Sequence, residues 1–254
     1  MRTKPTHDAY RPLGHRYPPP LLLPVEKIDA HSISVFAFEA TAASPMQSYF
    51  YPSPSDRTRA IKALEEVLLT TLSNPAFTLM KAVDPETKQV ASYAVWEDIA
   101  SSKSSVRVEG EGMGGLGGML NLHTMPLTTR TEESGQGNSI GDFIASERAK
   151  FKESWANDVT YIELQALATS PRFQRRGYAS ALLAWGHKRA DAESKVSFLL
   201  GSPIGRYLYA SLGWKEVGQI VIDMTEWMEG AGRGDLGWGV WKLYHMIMLP
   251  RAVG

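Results

Sequence analysis

One junction constrains this chain more than any other segment. Gln174-Arg175-Arg176-Gly177-Tyr178-Ala179 joins an alternating strand, Tyr161 to Thr169, to a long helix starting near Arg176. The first peptide N–H groups of a helix have no partner inside the helix. They point outward at the positive end of its dipole and receive anionic oxygens. Gly177 and Ala179 carry little or no side chain, so an anion can approach the backbone, and Arg175 and Arg176 add positive charge at the same place. The junction therefore reads as a pyrophosphate site. Neither G-x-G-x-x-G nor G-x-x-x-x-G-K-[ST] fits it; the pattern present is Q/R-x-x-G-x-G/A.

That hexapeptide resembles the defining motif of the GNAT superfamily of acyl-CoA-dependent N-acyltransferases, with Ala179 as an accepted variant at its last position. Leu167-Ala168-Thr169-Ser170-Pro171 upstream is similar to the family's strand end and Pro-containing turn. Leu208-Tyr209-Ala210-Ser211-Leu212-Gly213-Trp214 downstream resembles its L-Y-x-x-x-G-F/W segment. The resemblance is specific from about Val159 to Met224. It implies an α/β fold with a mixed sheet of about seven mostly antiparallel strands, a splayed parallel central pair and flanking helices. It also implies acetyl-CoA as cosubstrate and an amine as acceptor.

Composition is compatible with this and excludes other classes. The chain has 254 residues, 43% of them hydrophobic, enough for one full core. Lys plus Arg equals Asp plus Glu at 27 each, so no overall field draws nucleic acid or an anionic membrane. With no cysteine there is no disulfide, thiolate metal site or acyl-cysteine intermediate. The six histidines show no ligand spacing, so no metal is expected. Leu21-Leu22-Leu23, enclosed by prolines, is too short for a secretory core, and no segment is long enough to span a bilayer. The expectation is a soluble cytoplasmic protein, with the nucleus left open.

Residues 1–24 read as a Pro-rich arm, and 25–254 as one domain with an inserted loop and helix at about 99–157. A short strand is expected at Val25 to Ile28. A helix capped by Asp29 follows, burying Ile33, Phe36 and Ala37. A second helix, capped at Asp56, carries the stripe Ile61, Leu64, Val67, Leu68, Leu72. Phe77 to Val83 and Gln89 to Glu97 form a hairpin across Asp84-Pro85-Glu86-Thr87-Lys88. In the insertion, the run Gly110 to Gly118 reads as a loop, and Phe143, Ile144, Phe151 and Trp155 make Ile140 to Trp155 an amphipathic helix packed on the domain. After the junction come a helix to Glu193, a strand at Val196 to Leu200, a short helix through Ala210, and two strands at Gly213 to Met224 and Val240 to Leu249.

The motif strand is expected to alternate without interruption. Tyr161, Glu163, Gln165, Leu167 and Thr169 share one face, and Ile162, Leu164, Ala166 and Ala168 the other. Glu163 stands eleven residues before Gln174, where the family's histone-acetylating branch carries its general base. An ammonium must lose a proton before it can attack a thioester, and an apolar setting would raise a carboxylate's pKa to suit it. Glu163 or a water chain is the expected base. The resemblance makes Tyr209 the acid that protonates the leaving thiolate. It also implies that the backbone of Leu167, Ala168 and Thr169 holds the pantetheine and that Gln174, Arg175, Arg176, Gly177, Tyr178, Ala179 and Ser180 hold the pyrophosphate. The family's asparagine near the start of the later segment is absent, with Ser202 and Pro203 nearby instead.

The expected reaction is transfer of acetyl to a primary amine by direct attack in a ternary complex. A small-molecule amine is favoured, with Trp96, Tyr161 and Trp155 lining its cleft. The alternatives are a protein or peptide acetyltransferase and a non-catalytic acyl-CoA sensor.

Overall fold

A computed structural model describes residues 18–42, 44, 47, 50–99, 140–156, 159–227 and 239–251. The Gly-rich run and most of the N-terminal arm lie outside them. Chain order gives β1 (Leu21–Pro24), α1 (Ala30–Ala40), α2 (Pro54–Thr71), β2 (Phe77–Val83), β3 (Val90–Ile99), α3 (Ile140–Trp155), β4 (Tyr161–Thr169), α4 (Tyr178–Ala192), β5 (Val196–Gly201), α5 (Gly205–Ser211), β6 (Lys215–Asp223), α6 (Met224–Trp227) and β7 (Val240–Met248). The strands form one seven-stranded sheet in the order β1-β2-β3-β4-β5-β7-β6. Only β4 and β5 run parallel.

The first strand lies earlier than the sequence predicts, at Leu21–Pro24, paired antiparallel with β2. A proline is tolerated at the end of an edge strand because its missing N–H is not needed there. Val25 to Ile28 turns instead. The Asp29 carboxylate accepts the Glu26 N–H at 2.7 Å and pairs with the buried Lys81 ammonium, folding Lys27–Asp29 into a 3-10 turn. Asp29 thus anchors α1 to β2 without its side chain capping the helix. In α2 the cap is Ser53, whose hydroxyl accepts the Asp56 N–H while the Asp56 carboxylate accepts the Ser53 N–H, so Asp56 closes a capping box from the third helical position.

Helices cover both faces of the sheet. On one, Ile33, Phe36, Leu64 and Leu68 of α1 and α2 pack on Tyr93, Val95, Ala166 and Ala168. On the other, Leu182 and Leu183 of α4 pack on Trp96, Ile162 and Leu164. Each such aliphatic burial contributes about 1.5–3 kcal/mol. Gly186 lets α4 approach closely, since a Cβ there would stand 2.0 Å from the Trp96 ring. Among the described residues no helix is long and apolar enough to cross a membrane.

Two irregularities in β4 position the site. Its alternation breaks at Gln165, because Leu164 pairs with Trp96 and Ala166 with Val95, leaving Gln165 as the extra residue of a β-bulge. Glu163, Gln165 and Ala166 therefore share a face, while Leu167 joins Ile162 and Leu164 on the α4 face. The parallel pairing with β5 covers only Tyr161 to Leu164 against Val196 to Leu199. Beyond Leu164 the two strands part.

Candidate functional site

The parted strands open a cleft of about 880 Å³. This lies within the roughly 300–1,000 Å³ usual for small-molecule and cofactor sites. One wall is β4 from Leu164 to Thr169, the other Leu199 and Leu200 of β5 with Ser202 to Gly205 and α5. Gln174, Arg175, Gly177, Tyr178, Ala179 and Ser180 close one end.

At that end α4 begins at Tyr178 rather than near Arg176. Gly177 is the N-cap of α4 at φ +88°, a conformation that suits glycine, and Arg175 also lies in the left-handed region at φ +63°. Ala181 is the first residue whose N–H bonds back, to the Gly177 carbonyl at 2.9 Å. The N–H groups of Tyr178, Ala179 and Ser180 thus stand at the orphan positions of the first turn, facing the cleft. Arg176 does not line the cleft; its guanidinium lies over Phe173 with 5.4 Å to the ring centroid, and its charge helps hold Asp84 ionised.

Behind the turn, the Tyr178 hydroxyl donates to the Asp84 carboxylate of the β2–β3 turn, and Thr87 donates to the same group. The Tyr178 and Thr87 bonds outweigh burial and hold Asp84 below its ordinary pKa of 3.8. Burial and the bond to Asp84 push Tyr178 up to about 12.

Leu167, Ala168 and Thr169 lie along the unpaired edge of β4. The Thr169 carbonyl accepts from Gln174 at 3.3 Å and the Ala168 carbonyl from Ser92 at 2.7 Å, which fixes the strand end. Tyr209 lines the opposite wall from α5, its ring edge-on to Trp214. Burial raises its pKa, so the phenol keeps its proton. Among the described residues its hydroxyl has no hydrogen-bond partner.

Glu163 does not line the cleft, and its setting is not apolar. It is 0% exposed, and its two oxygens accept from Arg148 and, at 2.6 Å, from Lys152, both on α3. Burial alone would raise its pKa, but the two cations together outweigh burial and hold it below the ordinary 4.5. Arg148 also donates to Gln165 Oε1 at 2.7 Å, and Gln165 Nε2 donates to Glu97 on β3. Glu97 sits opposite Glu163 in the register. Its pKa is raised, by burial first and the Glu163 charge second. His245, stacked on Phe151 at 3.8 Å, is pushed down to about 4 by burial and the Arg148 charge, so it stays neutral.

The predicted aromatic lining is not what forms. Trp96 is sealed under α4 against Gly186, while Tyr161 and Trp155 pack on Phe198. Tyr93 and Trp241 line the cleft instead. Sequence reasoning also missed Gln165, Glu97, Arg148 and Lys152. A signal for two of them was present: Arg148 and Lys152 follow the apolar Ile144 at steps of four, on the inward stripe of α3. Among the described residues no cluster of three His, Asp or Glu side chains forms a metal site.

No family model and no curated protein matches the sequence. Solved structures do. The fold is similar to a histone acetyltransferase HPA2 and related acetyltransferase from Corynebacterium glutamicum, 19% identical over 92% of this chain and 97% of that one, with a TM-score of 0.52. It is similar to a putative arylalkylamine N-acetyltransferase 7 from the mosquito Aedes aegypti, 11% identical over 90% and 86%, at 0.53. It is also similar to an agmatine N-acetyltransferase, 8% identical over 91% and 100%, at 0.52. The chain has the GNAT fold.

Proposed function

We propose that this protein moves an acetyl group from acetyl-CoA to a primary amine, with a small-molecule amine as acceptor. The observation that carries this reading is the cleft where β4 and β5 part beyond Leu164, closed at one end by the orphan N–H groups of α4. The residues present fit the cosubstrate. Donors from Gly177 to Ser180 suit a diphosphate, and nothing within 4 Å fills the space where Gly177 lacks a Cβ. The open edge of Leu167, Ala168 and Thr169 suits an amide-bearing arm.

The thioester supplies the acyl carbon. Around it the chain positions groups and moves protons. The acceptor ammonium loses one proton, its nitrogen bonds the acyl carbon, and the C–S bond breaks. Tyr209 gives its hydroxyl proton to the departing sulfur and recovers one from the nitrogen as the amide forms. No acyl group rests on the protein. Support for a compact acceptor comes from the lining of the cleft, where Tyr93, Gln165 and Trp241 are all buried. Structural neighbours at this level of identity include enzymes named for small amines and for histones, so the choice rests on the cleft itself.

The test is thiol release from acetyl-CoA with phenethylamine, putrescine and a lysine peptide side by side, alongside calorimetry with CoA. Turnover with a small amine well above the peptide is expected. Preference for the peptide would transfer the reading to a protein acetyltransferase, and binding with no turnover at all would leave a sensor.

A further inference from the structure

We infer that Glu97 on β3, not Glu163, receives the proton that the acceptor ammonium loses, while Glu163 is the ionic anchor that holds α3 against the sheet. The inference rests on the acyltransferase reading and concerns the same cleft where the strands part. Glu163 is enclosed, with one oxygen committed to Arg148 and the other to Lys152. A proton placed there would disrupt two ion pairs inside the protein, and the group would then have to release it through the helix that covers it.

Glu97 differs in each respect. It lies directly across from Glu163 on the same face of the sheet, half-buried rather than sealed. One oxygen accepts from Gln165 Nε2, and the other makes no hydrogen bond to any described residue. Gln165 itself lines the cleft and is the first residue beyond Leu164, the last of β4 to pair with β5. Glu97 does not itself line the cleft; its carboxylate stands one side chain behind the wall where the strands part, so the link to an amine there runs through a water beside Gln165. The bulge makes this possible, since it turns Gln165 to the same face as Glu163 and ties it between Arg148 and Glu97.

The groups around Glu97 are Glu163, Tyr161 and Gln165 of β4 and Arg148 and Lys152 of α3. Burial and the Glu163 charge favour the protonated form, against the pull of Lys152 and Arg148. A base is most useful when its pKa lies nearer the working pH. In the step, an N–H bond of the ammonium breaks, the electron pair stays on nitrogen, and the proton passes through that water to the free Glu97 oxygen. From there it passes to water through the exposed side of the group.

Glu97→Gln and Glu163→Gln, both near-isosteric, separate the roles. Melting temperature and CoA calorimetry serve as controls for folding and cofactor affinity. Glu97→Gln is expected to bind CoA as the wild type does, lose turnover by on the order of 10²-fold, and lose the acidic limb of the kcat/KM pH profile. Glu163→Gln is expected to melt earlier and keep that limb. Carbon-13 NMR of the wild-type carboxyls gives a readout independent of acceptor, with Glu97 titrating above 4.5 and Glu163 below it. Wild-type turnover in Glu97→Gln, or the reverse order of titration, would overturn the assignment to Glu97 alone. Intact CoA binding with no transfer to any amine in the wild type would instead remove the transferase reading, and the proton acceptor with it.

Discussion

The two ends of the cleft are built from different material. The end closed by α4 is made of main chain: orphan N–H groups, a glycine at φ +88° and the open edge of β4. Behind the other end, where the strands part, stands a network of side chains from β3, β4 and α3, Glu97, Glu163, Arg148 and Lys152, which reaches the cleft only through Gln165. Main-chain sites follow from local sequence, because a strand, a turn and a helix fix them within about twenty residues. A side-chain site depends on which elements meet, and here one of them is α3, whose packing against the sheet is not encoded in the β4 segment.

The largest expected effect tests the main-chain end. Gly177→Glu puts an L residue at φ +88° and a carboxylate where an anion should sit, so calorimetry should find no CoA binding. Normal affinity in this variant would separate the two ends completely and remove the diphosphate assignment. Arg148→Ala probes the other end. It leaves Glu163 buried with its Arg148 partner gone, and urea unfolding should register a loss of about 3–5 kcal/mol, with CoA affinity in the folded protein little changed.

Tyr209→Phe removes one hydroxyl that faces the cleft. Turnover should fall by on the order of 10²-fold while CoA affinity holds, and a parallel loss of both would make Tyr209 a packing residue. Acid unfolding sharpens the comparison further. Asp84 and Glu163 both have folded pKa values below the ordinary 3.8 and 4.5, so their stabilisation is complete above those values. It is lost as pH falls through the depressed values. Asp84→Asn and Glu163→Gln should each flatten that acid limb in a stability-against-pH series. The smallest effect is Ser53→Ala, which removes the α2 cap far from both ends and should cost about 1 kcal/mol by urea unfolding with CoA affinity unchanged.

Much of the fold was legible because its signals are local. The three-and-four spacing of Leu64, Val67 and Leu68 buries as expected, and the hairpin around Asp84 to Lys88 forms between β2 and β3. Ile140–Trp155 is helical over the predicted residues. The misplacements have physical causes. Leu21 to Pro24 looked like part of an arm because a proline-bounded apolar triplet has no local sign of pairing, and its partner lies some sixty residues away in β2. The bulge at Gln165 was invisible because the residues of β4 keep a regular alternation in sequence, and only the pairing with Val95 and Trp96 reveals the extra residue. Glu163 was identified as a residue of interest, yet its surroundings were read as apolar because the cations that meet it come from α3, with Arg148 fifteen residues before it in the chain.

The central claim is that main-chain donors at the start of α4 grip a diphosphate beside a parted sheet. Backbone amide NMR during titration with CoA addresses it most directly. The account predicts that the amide signals of Gly177, Tyr178, Ala179 and Ser180 move together and saturate with the calorimetric affinity, and that Gly177→Glu abolishes the change. Saturating CoA that leaves those four amides unmoved while shifting signals elsewhere would contradict it.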